Sequence, residues 1–252
     1  MSEREIYDLV LWGFTGVAAT VFVLLFFVTA PYGRHARKGW GPTLSNLAGW
    51  ILMEIPAPLG MAAWFVLGGR FDAVSIAFLL VWELHYCQRT FVFPFKMKPG
   101  DPPMPLTIAL FGFVFNLFNT YVNGRWLFTL ADPYPATWLG DPRFLAGVAV
   151  FLAGMTINLH SDHVLRNLRK PGETAFKIPY GGMFRYVSAA NYLGEFTEWV
   201  GWALLTWSWP GAVFAFWTFA NLGPRARATH LWYQKTFPDY PKGRKAILPF
   251  IF

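Results

Sequence analysis

The chain reads as an all-α integral membrane protein with seven transmembrane helices. Three observations predict that class. Of 252 residues, 55% are hydrophobic and 19% aromatic, and only 14% are charged, whereas a soluble domain carries about a quarter. Mean hydropathy is +0.35, and apolar runs recur near the ~20-residue length that crosses a bilayer core. Finally, 16 of the 21 Lys and Arg residues fall in alternate connections between those runs, the bias that marks cytoplasmic loops.

The spans follow in order. Leu9–Val28 is free of charge, and it is too long for the apolar core of a cleavable signal peptide, so none is expected. Leu44–Leu67 is the second span and carries Glu54, Pro56 and Pro58. The third, Ala73–Phe95, holds Glu83, His85, Tyr86 and Arg89. Pro105–Val122 is the fourth, and the aromatic, proline-rich segment after it reads as an outer interfacial cap. Phe144–Leu165 is the fifth and turns polar in its second half. Asn191–Trp209 is the sixth, joined by the turn "WSWPG" to a seventh that starts at Pro210–Leu222 and runs on as an amphipathic helix through Phe237.

The four basic connections hold 3, 2, 5 and 6 Lys or Arg residues. The opposite side has Arg4, Arg70, Arg125 and Arg143. The N-terminus is therefore expected outside, with the C-terminus, Lys98, Lys170 and Lys242 cytoplasmic. The net charge of +7 thus reads as a topology signal and an anion site, and no nucleic-acid partner is expected. A single cysteine, Cys87, excludes an intrachain disulfide.

Polar residues inside apolar spans carry the functional signal, because each costs roughly 2.5–3.5 kcal/mol to insert. Glu54 stands alone in "ILMEIPAP". Asn158, Asp162, Arg166 and Arg169 recur at steps of four, four and three, and Asn191, Glu195 and Glu198 at four and three. Each set is expected on one helical face. Both flank the basic segment "LRKPGETAFKIPYGG". Carboxylates and amides beside cations suit a nucleotide, with the cations on its phosphates. The bland reading, hydrogen bonds that glue a bundle, is about as good for any one of these residues. No GxGxxG or Walker loop occurs, and no His/Cys spacing suits a metal. His230 reads as solvated.

The strings "ELHYCQRTFVFP", "GMTINLHSDHVLRNLRKPGETAFKIPYGGMFRYVSAANYLGEFTEWVGWA" and "FPDYPKGRKAILPFIF" closely resemble the steroid 5α-reductases, as do "EIP" and "PYGRH". The resemblance runs from Pro31 to Phe252. It implies one membrane reductase domain over 1–252, with a substrate and catalytic half (1–122) and a cofactor half (143–252). It implies NADPH as cofactor and an apolar 3-oxo-Δ4-steroid entering from the bilayer, in a bacterial inner membrane or the endoplasmic reticulum. By that resemblance Glu54 and Tyr86 are the catalytic pair. Asn158, Asp162, Arg169, Asn191, Glu195 and Tyr233 bind the cofactor, with Trp50, Arg89, Lys177 and Arg225 as further contacts. The sequence departs from the family at "RATHLW", where only His230 remains of a run of histidines, and in the loop "KMKPGDPPMP".

The chemistry gives Glu54 a purpose. An enone that accepts a hydride at its β-carbon gains enolate charge on its oxygen, and hydrogen-bond donors in a dry site stabilise that charge. Tyr86 offers a phenol. Burial among apolar groups favours a neutral Glu54 acid, which donates to the oxygen or orients the phenol. Two other readings stay open: an S-adenosylmethionine-dependent methyltransferase of the isoprenylcysteine carboxyl type, and a small transporter or lipid-binding protein.

Overall fold

The computed structural model describes residues 1–31, 35, 37–97, 103–169, 173 and 175–252. Lys98 and Lys170, and the centres of the loops that follow the third and fifth spans, lie outside the described residues. The chain forms two compact units: Met1–Gly16 with Ala30–Asp141, and Val17–Thr29 with Pro142–Phe252. Helix α1 (Glu3–Phe27) contributes to both.

In the first unit, β1 (Thr43–Leu44) pairs antiparallel with β2 (Met104–Pro105), Thr43 opposite Pro105. Helix α2 (Asn46–Glu54) starts at Ser45, whose hydroxyl accepts from the Ala48 amide at 3.2 Å. It stops at Glu54 because Pro56 and Pro58 have no N–H to give back. Ile55 stays right-handed (φ −57°, ψ −32°), so the chain runs directly into α3 (Pro56–Gly68). Gly69, at φ 67°, ends α3 in the left-handed conformation. Asp72 then caps α4 (Ala73–Cys87), accepting from the Val74 and Ser75 amides at 3.0 Å. A π-helical turn, Gln88–Val92, continues α4.

Helix α5 (Leu106–Thr120) does not end near Val122 as expected but continues as a π-helix over Tyr121–Leu130. Two contacts explain the extension. Gly124 packs so closely that a Cβ there would meet Trp64 Cβ at 2.7 Å, so this glycine serves packing instead of a turn. Arg70 donates to the carbonyls of Leu127 (3.3 Å), Thr129 (2.8 Å) and Ala131 (2.8 Å), capping the helix end.

The second unit is built on α6 (Pro142–Asn167), α7 (Ala190–Thr206) and α8 (Trp209–Thr236). Helices α6 and α7 touch backbone to backbone. A Cβ on Gly147 would lie 2.3 Å from Leu205 N, and one on Gly154 2.4 Å from Glu198 N. From α7, a Cβ on Gly194 would lie 2.4 Å from Asn158 N, and one on Gly201 2.4 Å from Phe151 N. Trp207, at φ 44°, turns the chain, and Ser208 caps α8 by accepting from Gly211 N at 3.1 Å. Tyr186–Ala189 is laced to Lys245 and Ala246 by backbone hydrogen bonds of 2.8–3.1 Å.

Among the described residues, four helical segments are long and apolar enough to cross a bilayer: Glu3–Phe27, Asn46–Gly68, Leu106–Leu130 and Pro142–Asn167. Helices α4 and α7, at 15 and 17 residues, fall short of the ~20-residue standard, and α8 is polar in its second half.

Candidate active and cofactor sites

In the first unit, Glu54 ends α2 just where the prolines interrupt the hydrogen-bond ladder. Trp50 lies one turn earlier on the same face. The Arg89 guanidinium lies over the Trp50 ring at 4.6 Å and the Phe93 ring at 4.4 Å. Its Nε is 4.0 Å from Glu54 Oε1, with both side chains at least 86% buried. The other carboxylate oxygen accepts from Asn116 Nδ2 at 3.2 Å, and the same amide donates to the Met53 carbonyl at 2.9 Å. The surroundings of Glu54 are therefore more polar than the apolar pocket expected from sequence. An amide hydrogen bond holds one of its oxygens, and a cation stands at ion-pair distance from the other.

Tyr86 lies three residues before Arg89, near the end of α4, and is 4% exposed. Its ring packs on Trp82 at 4.8 Å and on His85 at 4.9 Å. Trp82 in turn donates from Nε1 to the Ala57 carbonyl at 3.1 Å, tying α4 to α3 beside the proline break. Glu54, Trp50, Arg89 and Tyr86 all belong to this unit.

The second unit holds the remaining residues predicted to bind the cofactor. Asn158 and Asp162 are buried on the α6 face that carries Gly147 and Gly154 toward α7. Asn158 Nδ2 donates to the Asn191 carbonyl at 2.9 Å across that contact. The close glycine packing thus sets the distance at which the two polar stripes stand. Glu195 lies one turn beyond Asn191, half-buried, while Glu198 is 0% exposed in the helix contact itself. Helix α6 ends at Asn167, so the predicted stripe reaches Arg166 and Arg169 falls beyond the helix, its guanidinium 5.8 Å from the Phe176 ring. Arg225 is buried and donates to the Tyr192 hydroxyl at 2.8 Å. Tyr233 is buried and stacked on Tyr240 at 5.2 Å. Lys177 stands apart, partly exposed and ion-paired to Glu173.

Two features escaped the sequence reading. Asn116 was hidden in an apolar span, though Asn116, Asn119, Thr120 and Asn123 recur at helical spacing and all four are buried. His230 is only partly exposed and is hydrogen-bonded. Its Nδ1 is 2.6 Å from Ser188 Oγ, which also meets the Tyr240 hydroxyl at 2.6 Å, and its Nε2 is 2.9 Å from the Gln234 amide. Burial, and then the Lys245 charge, pull its pKa below the ordinary 6.5. No group of three or more metal-ligating side chains occurs among the described residues.

A buried acid near a cation and an amide in the first unit, and a second set of amides, carboxylates and cations in the second, fit a helical membrane enzyme. Comparison with known proteins gives the family. The family model for 3-oxo-5-alpha-steroid 4-dehydrogenase matches residues 102–252. The chain is 44% identical to 3-oxo-5-alpha-steroid 4-dehydrogenase 1 of Bos taurus, over 100% of this chain and 99% of that one. It is 42% identical to steroid 5-alpha-reductase DET2 of Gossypium hirsutum, over 100% and 99%. It is 44% identical to 3-oxo-5-alpha-steroid 4-dehydrogenase 1 of Homo sapiens, over 94% and 92%. The chain belongs to the steroid 5α-reductase family, a family of oxidoreductases that act on carbon–carbon bonds. These relatives are named steroid dehydrogenases or reductases, which favours an oxidoreductase over the methyltransferase and transporter readings.

Proposed function

We propose that this chain reduces the Δ4 double bond of 3-oxo-Δ4-steroids to the 5α-reduced 3-oxosteroid, with NADPH as reductant, from a seven-span membrane fold whose cofactor residues face the cytoplasm. The observation that carries this reading is the Glu54 cluster, a buried carboxylate hydrogen-bonded by an amide and within ion-pair distance of an arginine that packs on aromatic rings. Full-length similarity to named steroid reductases supplies the substrate class.

The donor set of the second unit fits a nicotinamide dinucleotide. Asn158, Asn191, Asp162 and Glu195 offer the amides and carboxylates that ribose hydroxyls and a carboxamide require, while Arg169 and Arg225 offer cations for phosphates. Trp50 and Arg89 are further contacts in this proposal. NADPH, when bound, supplies the hydride for the enone β-carbon.

The chain's own residues do the rest. The Tyr86 phenol donates to the 3-oxo oxygen and tightens that bond as enolate charge develops. Glu54 orients the phenol, and the Asn116 amide in turn positions Glu54. Arg89, three residues after Tyr86 in the π-helical turn that continues α4, adds positive charge near the developing enolate. Glu54, Arg89 and Tyr86 are largely buried, and burial strengthens each of these interactions.

The deciding experiment incubates purified protein with NADPH and a 3-oxo-Δ4-steroid and identifies the product by mass spectrometry. The expected product carries two more hydrogens, the NADPH hydride on the β-carbon in the 5α configuration and a proton from water on the α-carbon, and NADPH is consumed in equal amount. NADPH binding without any reduced steroid would sink the substrate assignment. Binding of S-adenosylmethionine in place of NADPH would sink the cofactor.

A further inference from the structure

Ser188 lies in the stretch between α6 and α7 and is 3% exposed. Its hydroxyl is where three segments meet. Oγ stands 2.6 Å from His230 Nδ1 on α8 and 2.6 Å from the Tyr240 hydroxyl beyond α8. It donates to the Lys245 carbonyl at 3.1 Å, which also accepts from the Ser188 amide at 2.8 Å. A serine hydroxyl has one proton and two lone pairs. With the proton on the Lys245 carbonyl, both lone pairs are left for incoming donors, so His230 donates from Nδ1 and Tyr240 donates its phenolic proton. The Gln234 amide nitrogen, 2.9 Å from His230 Nε2, is itself a donor. It needs the lone pair that a neutral imidazole with its proton on Nδ1 keeps there. Each polar hydrogen of the cluster thus has an acceptor.

The cluster closes back on α8. His230 and Tyr233 are three residues apart and share a helical face. Tyr240 is tied through Ser188 to the first of them and stacks on the second, with ring centroids 5.2 Å apart and planes at 6°. Tyr233 and Tyr240 are both buried, and Ile178 and Phe237 pack around them. Stacking sets the distance between two rings but leaves one free to slide over the other. A hydrogen bond is directional, and the one from Tyr240 to Ser188 fixes that second coordinate. Serine, histidine and two tyrosines therefore form a closed circuit that holds the Tyr233 ring in one place.

We infer that Ser188 and Tyr240 are positioning residues for the cofactor, which act by holding Tyr233 where it meets NADPH. This rests on the proposed reading of Tyr233 as a cofactor contact. Ser188 spends its proton and both lone pairs inside the cluster, so it keeps no hydrogen bond for a ligand and acts through its neighbours. A contact residue held in its bound position before the ligand arrives loses less freedom on binding, which raises affinity. The effect falls on binding, because Tyr233 belongs to the cofactor residues and the enone is held by Tyr86.

The test measures NADPH Kd, NADPH KM, kcat and the melting temperature of the full chain in detergent. Ser188→Ala should raise Kd and KM for NADPH about fivefold, the loss expected for one neutral hydrogen bond. At saturating NADPH, kcat should stay within about twofold, since only binding is lost. Ser188→Thr keeps the hydroxyl and should restore the affinity. Tyr240→Phe keeps the stacked ring and should match Ser188→Ala. The double variant should bind no more weakly than either single one, because both remove the same bond. A lower melting temperature with unchanged Kd would make the cluster a packing device and overturn the proposal. Additive losses would overturn it as well, since Ser188 would then not act through Tyr240. If Ser188→Ala fails to fold, Tyr240→Phe decides the matter. Tyr233→Phe tells the two possible failures apart. An unchanged Kd in Tyr233→Phe removes Tyr233 from the cofactor site and the positioning role with it. A raised Kd there, beside normal Kd in Ser188→Ala and Tyr240→Phe, overturns the positioning role alone.

Discussion

At the scale of single residues, the sharpest distinction is between packing and chemistry at Tyr86. Its ring is buried against Trp82 and His85, so Tyr86→Phe keeps that packing and removes only the hydroxyl. On the catalytic reading, loss of a donor to developing charge lowers turnover about 10²–10³-fold, with NADPH affinity little changed. Single-turnover NADPH oxidation at saturating steroid measures it, and a loss below about threefold would return Tyr86 to the packing residues. Asn116→Leu tests the positioning of Glu54. It strips a donor from a carboxylate, a bond worth about 1.5–3 kcal/mol, and turnover should fall about tenfold while the protein still folds and binds NADPH. Normal turnover would make that hydrogen bond idle. His230 gives a pH signature. Its folded pKa is depressed, so the unfolded chain takes up the proton first and stability declines as pH falls below about 6.5. Thermal melts from pH 7.5 to 5.5 should show this slope, reduced in His230→Gln. Glu54 was legible from sequence because a lone acid in an apolar run is conspicuous. Asn116 was not, because an amide costs less at membrane depth and attracts no notice until its partner is seen.

At the scale of elements, the α6–α7 contact shows what periodicity can and cannot give. Periodicity placed Asn158 and Asp162 on one face, and both are buried on the face that meets α7. It carried that stripe one turn too far, because α6 ends at Asn167, before Arg169. It also gave no hint that Gly154 and Gly194 bring the backbones together, since a glycine in a helix reads as a weakness until a neighbour fills the space. Gly154→Ala is the test of this packing. The new Cβ would meet Glu198 N at 2.4 Å, a backbone atom that cannot yield as a flexible side chain would. The helices must separate, at a cost of about 1–3 kcal/mol. The Asn158–Asn191 bond should lengthen with them, so NADPH affinity should fall together with the melting temperature. A variant with normal affinity and a normal melt would mean that the two helices give way freely. The same blindness hid the extension of α5. The aromatic, proline-rich composition after Val122 suggested an interfacial cap, whereas Trp64 and Arg70, distant in sequence, supply the contacts that keep the helix going.

At the scale of the whole molecule, composition alone places the chain in a membrane, and four segments are long and apolar enough to span one. The remaining three proposed spans differ for a physical reason. Helices that line a polar site carry the charged and amide groups of that site, and these lower the hydropathy by which a span is recognised. Glu83 and Arg89 in and beside α4, Glu195 and Glu198 in α7, and Arg225 and Arg227 in α8 have this effect. The count of seven therefore rests on the alternation of basic connections, and that alternation is open to direct test. Single cysteines are introduced in a Cys87→Ala background at Arg70, in the connection between α3 and α4, and at Lys242, beyond α8. Both positions are exposed enough to react: Lys242 is exposed and Arg70 half-buried. In intact cells a membrane-impermeant maleimide should label position 70 and leave position 242 unlabelled until the membrane is opened. An odd number of spans requires the two termini on opposite sides, so a cysteine at Ser2 should behave like position 70. Labelling of 242 from outside would invert the topology and turn the residues proposed to bind NADPH away from the cytoplasm. Labelling of 2 and 242 from the same side would require an even number of spans and would remove one of α4, α7 or α8 from the bilayer.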